Sequence, residues 1–241
     1  MHFLNERKNN MDYDSFLELL KKRRSTYGYK PDDVPEELID KVFEAARWAP
    51  SGANSQPWEF VVVKSKELRE RIVEFFKEQG EIAYRVEQTR TSGCRFPRYR
   101  KPPKGTPGFA VAPVYIIACG DPRTKEAYPL KSKQDRGESN FYSSLASAFL
   151  YMHLAATALG LGSQWVSASA MDLMQGRLKE LLDIPYELEV YDMMVLGYPI
   201  AGSKPRNVRS SEDFVHNEKF DKGRIRKEED VRDFIDSLWK K

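Results

Sequence analysis

From Tyr13 to Lys22 the apolar residues Phe16, Leu17, Leu19 and Leu20 fall on one face of a helix. Asp12 or Asp14 stands at its start, and Lys21, Lys22, Arg23 and Arg24 close it, where cations favour the helix dipole. A turn-like stretch, Ser25-Thr26-Tyr27-Gly28-Tyr29, follows. Pro35 lies in the first turn of a second predicted helix that runs to about Trp48 and stops before Pro50. Leu38, Ile39, Val42, Phe43 and Ala46 line its apolar side. The near-continuous apolar run Trp58–Val63 predicts a buried strand, and a charged helix follows over residues 66–79. Residues 111–119 read as a second buried strand, with Pro113 near its start. Residues 140–159 form the longest predicted helix. It is rich in Ala and Ser, which suits close approach of another helix in a core or at a subunit interface. Gly160 and Gly162 end it. A short strand over 164–168, a helix over 171–182, a last core strand over 188–196 and an amphipathic helix over 231–239 complete the pattern. Helices come first and then alternate with about four strands, which predicts an α+β or α/β layered domain.

Between residues 80 and 108 the periodicity fades. A short helix fits around residues 82–86, and the rest is rich in Arg, Lys, Pro and Gly. That is long for a passive connection, so a lid, a partner contact or disorder is expected there. The 241 residues, 41% of them hydrophobic, suffice for one domain over 1–241, with a lid at 80–108 and a C-terminal extension from about 200. A net charge of +3 is too small to argue for nucleic acid. Basic residues cluster at 21–24, 95–104 and 204–209, each a candidate anion site or a solvated face. No apolar run reaches the roughly 18 residues of a membrane span, and no signal-peptide pattern opens the chain, so the expected location is cytoplasmic. Cys94 and Cys119 are expected as free thiols.

The candidate chemistry is not that of a self-sufficient catalytic set. The three histidines, His2, His153 and His216, have no Cys, Ser or carboxylate at a recognised spacing, and no metal-ligand cluster is present. Gly160-Leu161-Gly162 follows a helix and not a strand, so it fails the context of a dinucleotide loop. The polar wealth lies elsewhere. Ala49-Pro50-Ser51-Gly52-Ala53-Asn54-Ser55-Gln56-Pro57-Trp58 carries hydroxyl and amide groups at the edge of the predicted core. Arg23-Arg24-Ser25 suits a phosphate, residues 50–54 suit a heterocycle edge or polyol, and residues 162–167 place main-chain N–H groups beside a planar ring. Such a chain borrows its chemistry from a cofactor.

These motifs, together with Gly160-Leu161-Gly162-Ser163-Gln164-Trp165-Val166 and Lys204-Pro205-Arg206-Asn207-Val208-Arg209, make the chain resemble the FMN-dependent nitroreductase-like oxidoreductases over residues 13–220. The resemblance implies an α+β fold with a mainly antiparallel sheet flanked by helices, in an intertwined homodimer with FMN between subunits. It implies that Arg23, Arg24 and Ser25, with Arg206 or Arg209, hold the phosphate and ribityl chain. Pro50, Ser51, Gly52 and Asn54 line the flavin ring, Asn54 from the partner, and Trp165, Val166 and Ser167 pass near its N5. NADH or NADPH is the implied electron donor, small aromatic or conjugated molecules such as nitroaromatics and quinones the acceptors, and the kinetics ping-pong; neither nucleic acid nor membrane is implied. No side chain acts as a covalent catalyst. Tyr27 stands where many relatives carry a basic residue, and Val166-Ser167 where many carry a Glu-Gly pair. The hydroxyl resembles the deiodinase branch, so reductive dehalogenation of halophenols or halotyrosine stays open. There Glu81, Tyr84 and Lys101 or Lys104 would serve as lid residues. A flavin-binding sensor without turnover also stays open.

Overall fold

A computed structural model describes residues 12–202 and 208–239, the last without its side chain. Its regular elements are α1 (Tyr13–Lys22), α2 (Glu36–Arg47), β1 (Trp58–Val63), α3 (Lys66–Gln88), β2 (Val114–Gly120), α4 (Leu130–Ala158), β3 (Gly162–Val166), α5 (Asp172–Leu182), β4 (Glu189–Gly197) and α6 (Glu228–Trp239). The strands form one sheet in the order β1-β2-β4-β3, every pairing antiparallel. This is an α+β fold, as the resemblance implied.

The described residues divide into two compact units. The first holds residues 12–83 and 103–202, and with them the whole sheet; the second holds 84–102 and 208–239. In the first unit every residue of β2 is buried. Val114, Ile116 and Ala118 point to one face, where Ile39, Val42, Phe149 and Met152 from α2 and α4 cover them. Tyr115, Ile117 and Cys119 point to the other, against Ile72 and Val73 of α3 and Leu178 of α5. An antiparallel sheet usually alternates because one face meets water. Here helices cover both faces, and that is why the strands read as continuous apolar runs. Burial pushes the Cys119 thiol up to about 12, so it is an inert core thiol; Cys94 is exposed and free.

Two helices exceed their predicted bounds. α3 passes through Gly80 to Gln88. An added Cβ at Gly80 would meet the Pro103 ring at 3.9 Å, an ordinary contact, so packing does not require the glycine there. α4 begins at Leu130, ten residues before the predicted start. Its first turns are polar, and their stabilising contacts are pairs such as Lys131–Asp135 at 3.0 Å, which leave no apolar periodicity to read. In the second unit, residues 84–102 fold onto themselves. Gln88 donates to the carbonyls of Tyr84 and Tyr99, Arg95 donates to those of Gln88 and Arg90, and the Phe96 N–H donates to Glu87.

Candidate functional site

The first and third polar motifs meet at the outer edge of β3. The backbone N–H of Arg23 caps α1 by donating to the Leu19 carbonyl, and the chain then runs out extended. Ser25 bridges in parallel to Ser163, and the Thr26 N–H donates to the Ser163 carbonyl at 2.9 Å. This approach requires a glycine at the head of β3, since a Cβ on Gly162 would stand 2.6 Å from Thr26 Oγ1. Two half-buried guanidiniums and a half-buried hydroxyl, from Arg23, Arg24 and Ser25, are thereby held beside the strand that leads to Trp165, Val166 and Ser167. Two charged donor forks beside a hydroxyl are the donor chemistry of a phosphate cradle.

Further along β3, Trp165 is fixed on all sides. Its indole Nε1 donates to Asp192 Oδ2 at 2.5 Å. Its face stacks on His153, with ring centroids 5.4 Å apart and 7° between planes, and Phe149 meets it edge-on. The carboxylate comes from β4. Asp192 lies two residues before Met194, which pairs with Trp165, and so shares its face; the β2–β4 register shift between Ala118 and Cys119 adds Tyr191 to that face. Burial raises the Asp192 carboxyl to about 6, against the opposing effect of the Trp165 hydrogen bond. Val166 turns the other way, into the core, and so offers the site its main chain, while Ser167 is exposed.

The second motif is held differently. Ala53, Asn54 and Gln56 have φ of 50°, 53° and 43°, the left-handed region that non-glycine residues rarely occupy. Each costs on the order of 1–2 kcal/mol. The cost is met by anchors: Gly52 N–H donates to Ser144 Oγ on α4, Gln56 N–H donates to Ser51 Oγ, and Ser55 Oγ lies 3.4 Å from Tyr128 Oη. A side chain on Gly52 would press Tyr128 at 3.0 Å. Pro50 and Asn54 are exposed, and Ser51 and Gly52 half-buried. This motif is anchored on α4 at a different place from β3. It attaches to α4 at Ser144, whereas β3 attaches at His153. At 1.5 Å per residue the two points lie about 14 Å apart along the helix.

Of the remaining candidates, Arg206 lies outside the described residues. Arg209, in the second unit, donates to the Asp213 carbonyl at 2.6 Å and lies over the Phe214 ring. Tyr27 is exposed and Trp58 packs against the core. Among the described residues no cluster could hold a metal, and no helix is long and apolar enough to cross a membrane. The polar partners of Trp165 escaped sequence reasoning. Asp192 lies within an apolar strand pattern, and the pairing of β3 with β4 that sets it beside Trp165 leaves no local sequence mark.

The fold and its β3 edge define an α+β protein in which two half-buried arginines stand beside the strand that carries Trp165. The profile of the Nitroreductase family matches residues 20–198, and the chain belongs to that family. A Methanothermobacter thermautotrophicus protein named "Putative NADH dehydrogenase/NAD(P)H nitroreductase" is 31% identical over 204 residues, 85% of this chain and 87% of that one. Iodotyrosine deiodinase 1 of Rattus norvegicus is 46% identical over 79 residues, 33% of this chain and 28% of that one. Among solved structures, a BluB-like flavoprotein from Clostridium difficile 630 is 28% identical, with a TM-score of 0.66 over 87% of this chain and 100% of that one. An FMN-dependent nitroreductase from Clostridium difficile R20291 is 27% identical, with a TM-score of 0.57 over 85% and 99%.

Proposed function

We propose that this chain is an FMN-dependent oxidoreductase that uses NADH or NADPH to reduce small conjugated acceptors such as nitroaromatics and quinones. The observation that carries the reading is the Arg23-Arg24-Ser25 turn, fixed to β3 beside Trp165-Val166-Ser167. FMN, when bound, supplies hydride transfer through its ring, which explains why the protein needs no acid–base triad. Arg23 and Arg24 neutralise the phosphate, and the Ser25 hydroxyl completes its hydrogen bonding. The main chain of residues 165–167 orients the ring, and the Asp192 and His153 contacts keep Trp165 from moving there.

Pro50, Ser51, Gly52 and Asn54 line the ring, Asn54 from a second copy of the chain. The 14 Å offset along α4 supports this, as does α1. That helix buries none of its residues within one chain, and Tyr13, Phe16 and Leu20 are exposed on it. Leu150 and Tyr151 add exposed apolar surface on α4. The segment 80–108 serves as a lid that selects the acceptor; removing residues 91–105 should change the substrate range. A second reading, reductive dehalogenation of a halophenol or halotyrosine, is favoured by the local identity to iodotyrosine deiodinase 1 and by the exposed Ser167 hydroxyl.

The test is anaerobic. Purified protein loaded with FMN is reduced with NADH or NADPH and then offered a nitroaromatic, a quinone or an iodotyrosine. Reoxidation by the first two supports the leading reading. Iodide release from the third, with the first two inert, establishes the second. A protein that binds no FMN overturns both.

A further inference from the structure

His153 is a buried polar group whose ring nitrogens have no part in the reaction just proposed. It is 2% exposed on α4, and its Nδ1 lies 2.7 Å from Ser163 Oγ. Burial lowers its pKa to about 3, and the charge of Arg23 acts in the same direction, so the ring is neutral near pH 7. A neutral imidazole has one donor and one acceptor nitrogen. Nδ1 has Ser163, whereas Nε2 has no hydrogen-bond partner among the described residues. A phenylalanine would fill the same space without leaving a ring nitrogen bare, so the gain from histidine must come through Nδ1. Ser163 is also the residue on which the arginine turn rests. It pairs with Leu196 of β4 on one side and holds Ser25 and Thr26 on the other.

We infer that His153 is a positioning residue. Its hydrogen bond fixes Ser163, and through the Ser163 main chain it sets the place of the Arg23–Ser25 turn relative to the rest of β3. The consequence for affinity rests on the reading that this turn holds FMN phosphate. The consequence for the turn itself does not.

Two substitutions separate the hydrogen bond from packing. His153→Phe keeps an aromatic ring against Trp165 and loses Nδ1. His153→Asn loses the ring, yet its amide reaches the position of Nδ1 and can still bond Ser163. Ser163→Ala removes the hydroxyl and leaves the main-chain bond to Thr26 intact. Each apoprotein is titrated with FMN by fluorescence quenching, melted without FMN, and followed by hydrogen exchange over residues 23–28. The expected result is about tenfold weaker FMN binding for His153→Phe and for Ser163→Ala, the worth of one hydrogen bond. Exchange at Thr26 should be faster in both, and the double variant should be no worse than either alone. His153→Asn should bind FMN within about twofold of the unaltered protein even though it melts lower, because a partly retained bond costs less than a lost one.

If His153→Asn weakens FMN as much as His153→Phe, ring packing sets the effect and the inference fails. It fails too if every variant keeps the unaltered affinity and exchange. An unaltered protein that binds no FMN defeats the cofactor reading, and the Thr26 exchange rates then decide the positioning role by themselves.

Discussion

Two parts of the molecule present polar groups, and they are held by opposite means. The turn at Arg23–Thr26 adds itself to an ordinary sheet edge, with unstrained backbone and main-chain bonds to Ser163. The stretch 51–56 bends through three left-handed non-glycine residues and is tied down by side chains of α4 and by Tyr128. The first arrangement is rigid because a sheet is rigid. The second is rigid only while its anchors hold, since strain of on the order of 1–2 kcal/mol per left-handed residue opposes it. A site built from both therefore has a firm end for the anion and a conditional end that depends on neighbours.

Removing the charge at the firm end should have the largest effect. Replacing Arg23 and Arg24 together with alanine removes two charge-assisted contacts and should weaken FMN binding on the order of a thousandfold, with circular dichroism unchanged. Retained affinity in an isothermal titration would show that the cradle lies elsewhere.

Gly162→Ala attacks the attachment of that end. The new Cβ at 2.6 Å from Thr26 Oγ1 must push the turn off β3, so the protein should lose roughly 1–3 kcal/mol of stability in urea along with FMN affinity. Equal stability to the unaltered protein would mean that the turn gives way freely, and the contrast between the two ends would collapse.

At the conditional end, Gln56→Val puts a β-branched residue at a φ of 43° and should cost about 1–2 kcal/mol in the same experiment. Ser144→Ala, which releases the Gly52 N–H and the extra bond to the Asn140 carbonyl, should cost less, about 1 kcal/mol.

The smallest effect belongs to Asp192 and appears as a pH dependence. Its folded-state pKa, raised to about 6, means that the folded protein binds the proton more tightly than the unfolded chain. Its contribution is therefore fully present below the ordinary aspartate value and is lost as pH rises through about 6. His153 runs the other way. A histidine depressed to about 3 destabilises the fold as pH falls below its ordinary value. The two oppose each other in the acid range. Asp192→Asn should raise the melting temperature by about 2–4 °C at pH 7–8, and the gain should vanish near pH 4. A gain independent of pH would show that the carboxylate's ionisation is not the cause.

Much of this molecule is legible without coordinates, for identifiable reasons. α1 ends and β1 begins where the pattern places them because local signals act there: the basic run at Lys21–Arg24, and Pro57 before Trp58. The lower bound of α4 and the upper bound of α3 were not legible. Polar helical turns held by ion pairs, and a helix that crosses a glycine, lack the apolar period that sequence reading depends on. The arginine turn and the strained motif were visible as residue types in order along the chain, and so was the family. Their attachment was not. The pairing of Ser25 with Ser163 joins residues far apart in sequence, and no local pattern encodes it.

What the sequence determined by itself was therefore what depends on near neighbours: helix faces, strand cores, and the supply of guanidinium, hydroxyl and amide groups. Only the tertiary structure decided which of these groups meet. The pairing of β3 with β4 set Asp192 beside Trp165, α4 carried His153 to Ser163, and β3 received the arginine turn. The physical reason is that a hydrogen bond or a stacked ring acts over a few ångströms. The chain brings distant residues within that range only after burial of both sheet faces has set where each element lies.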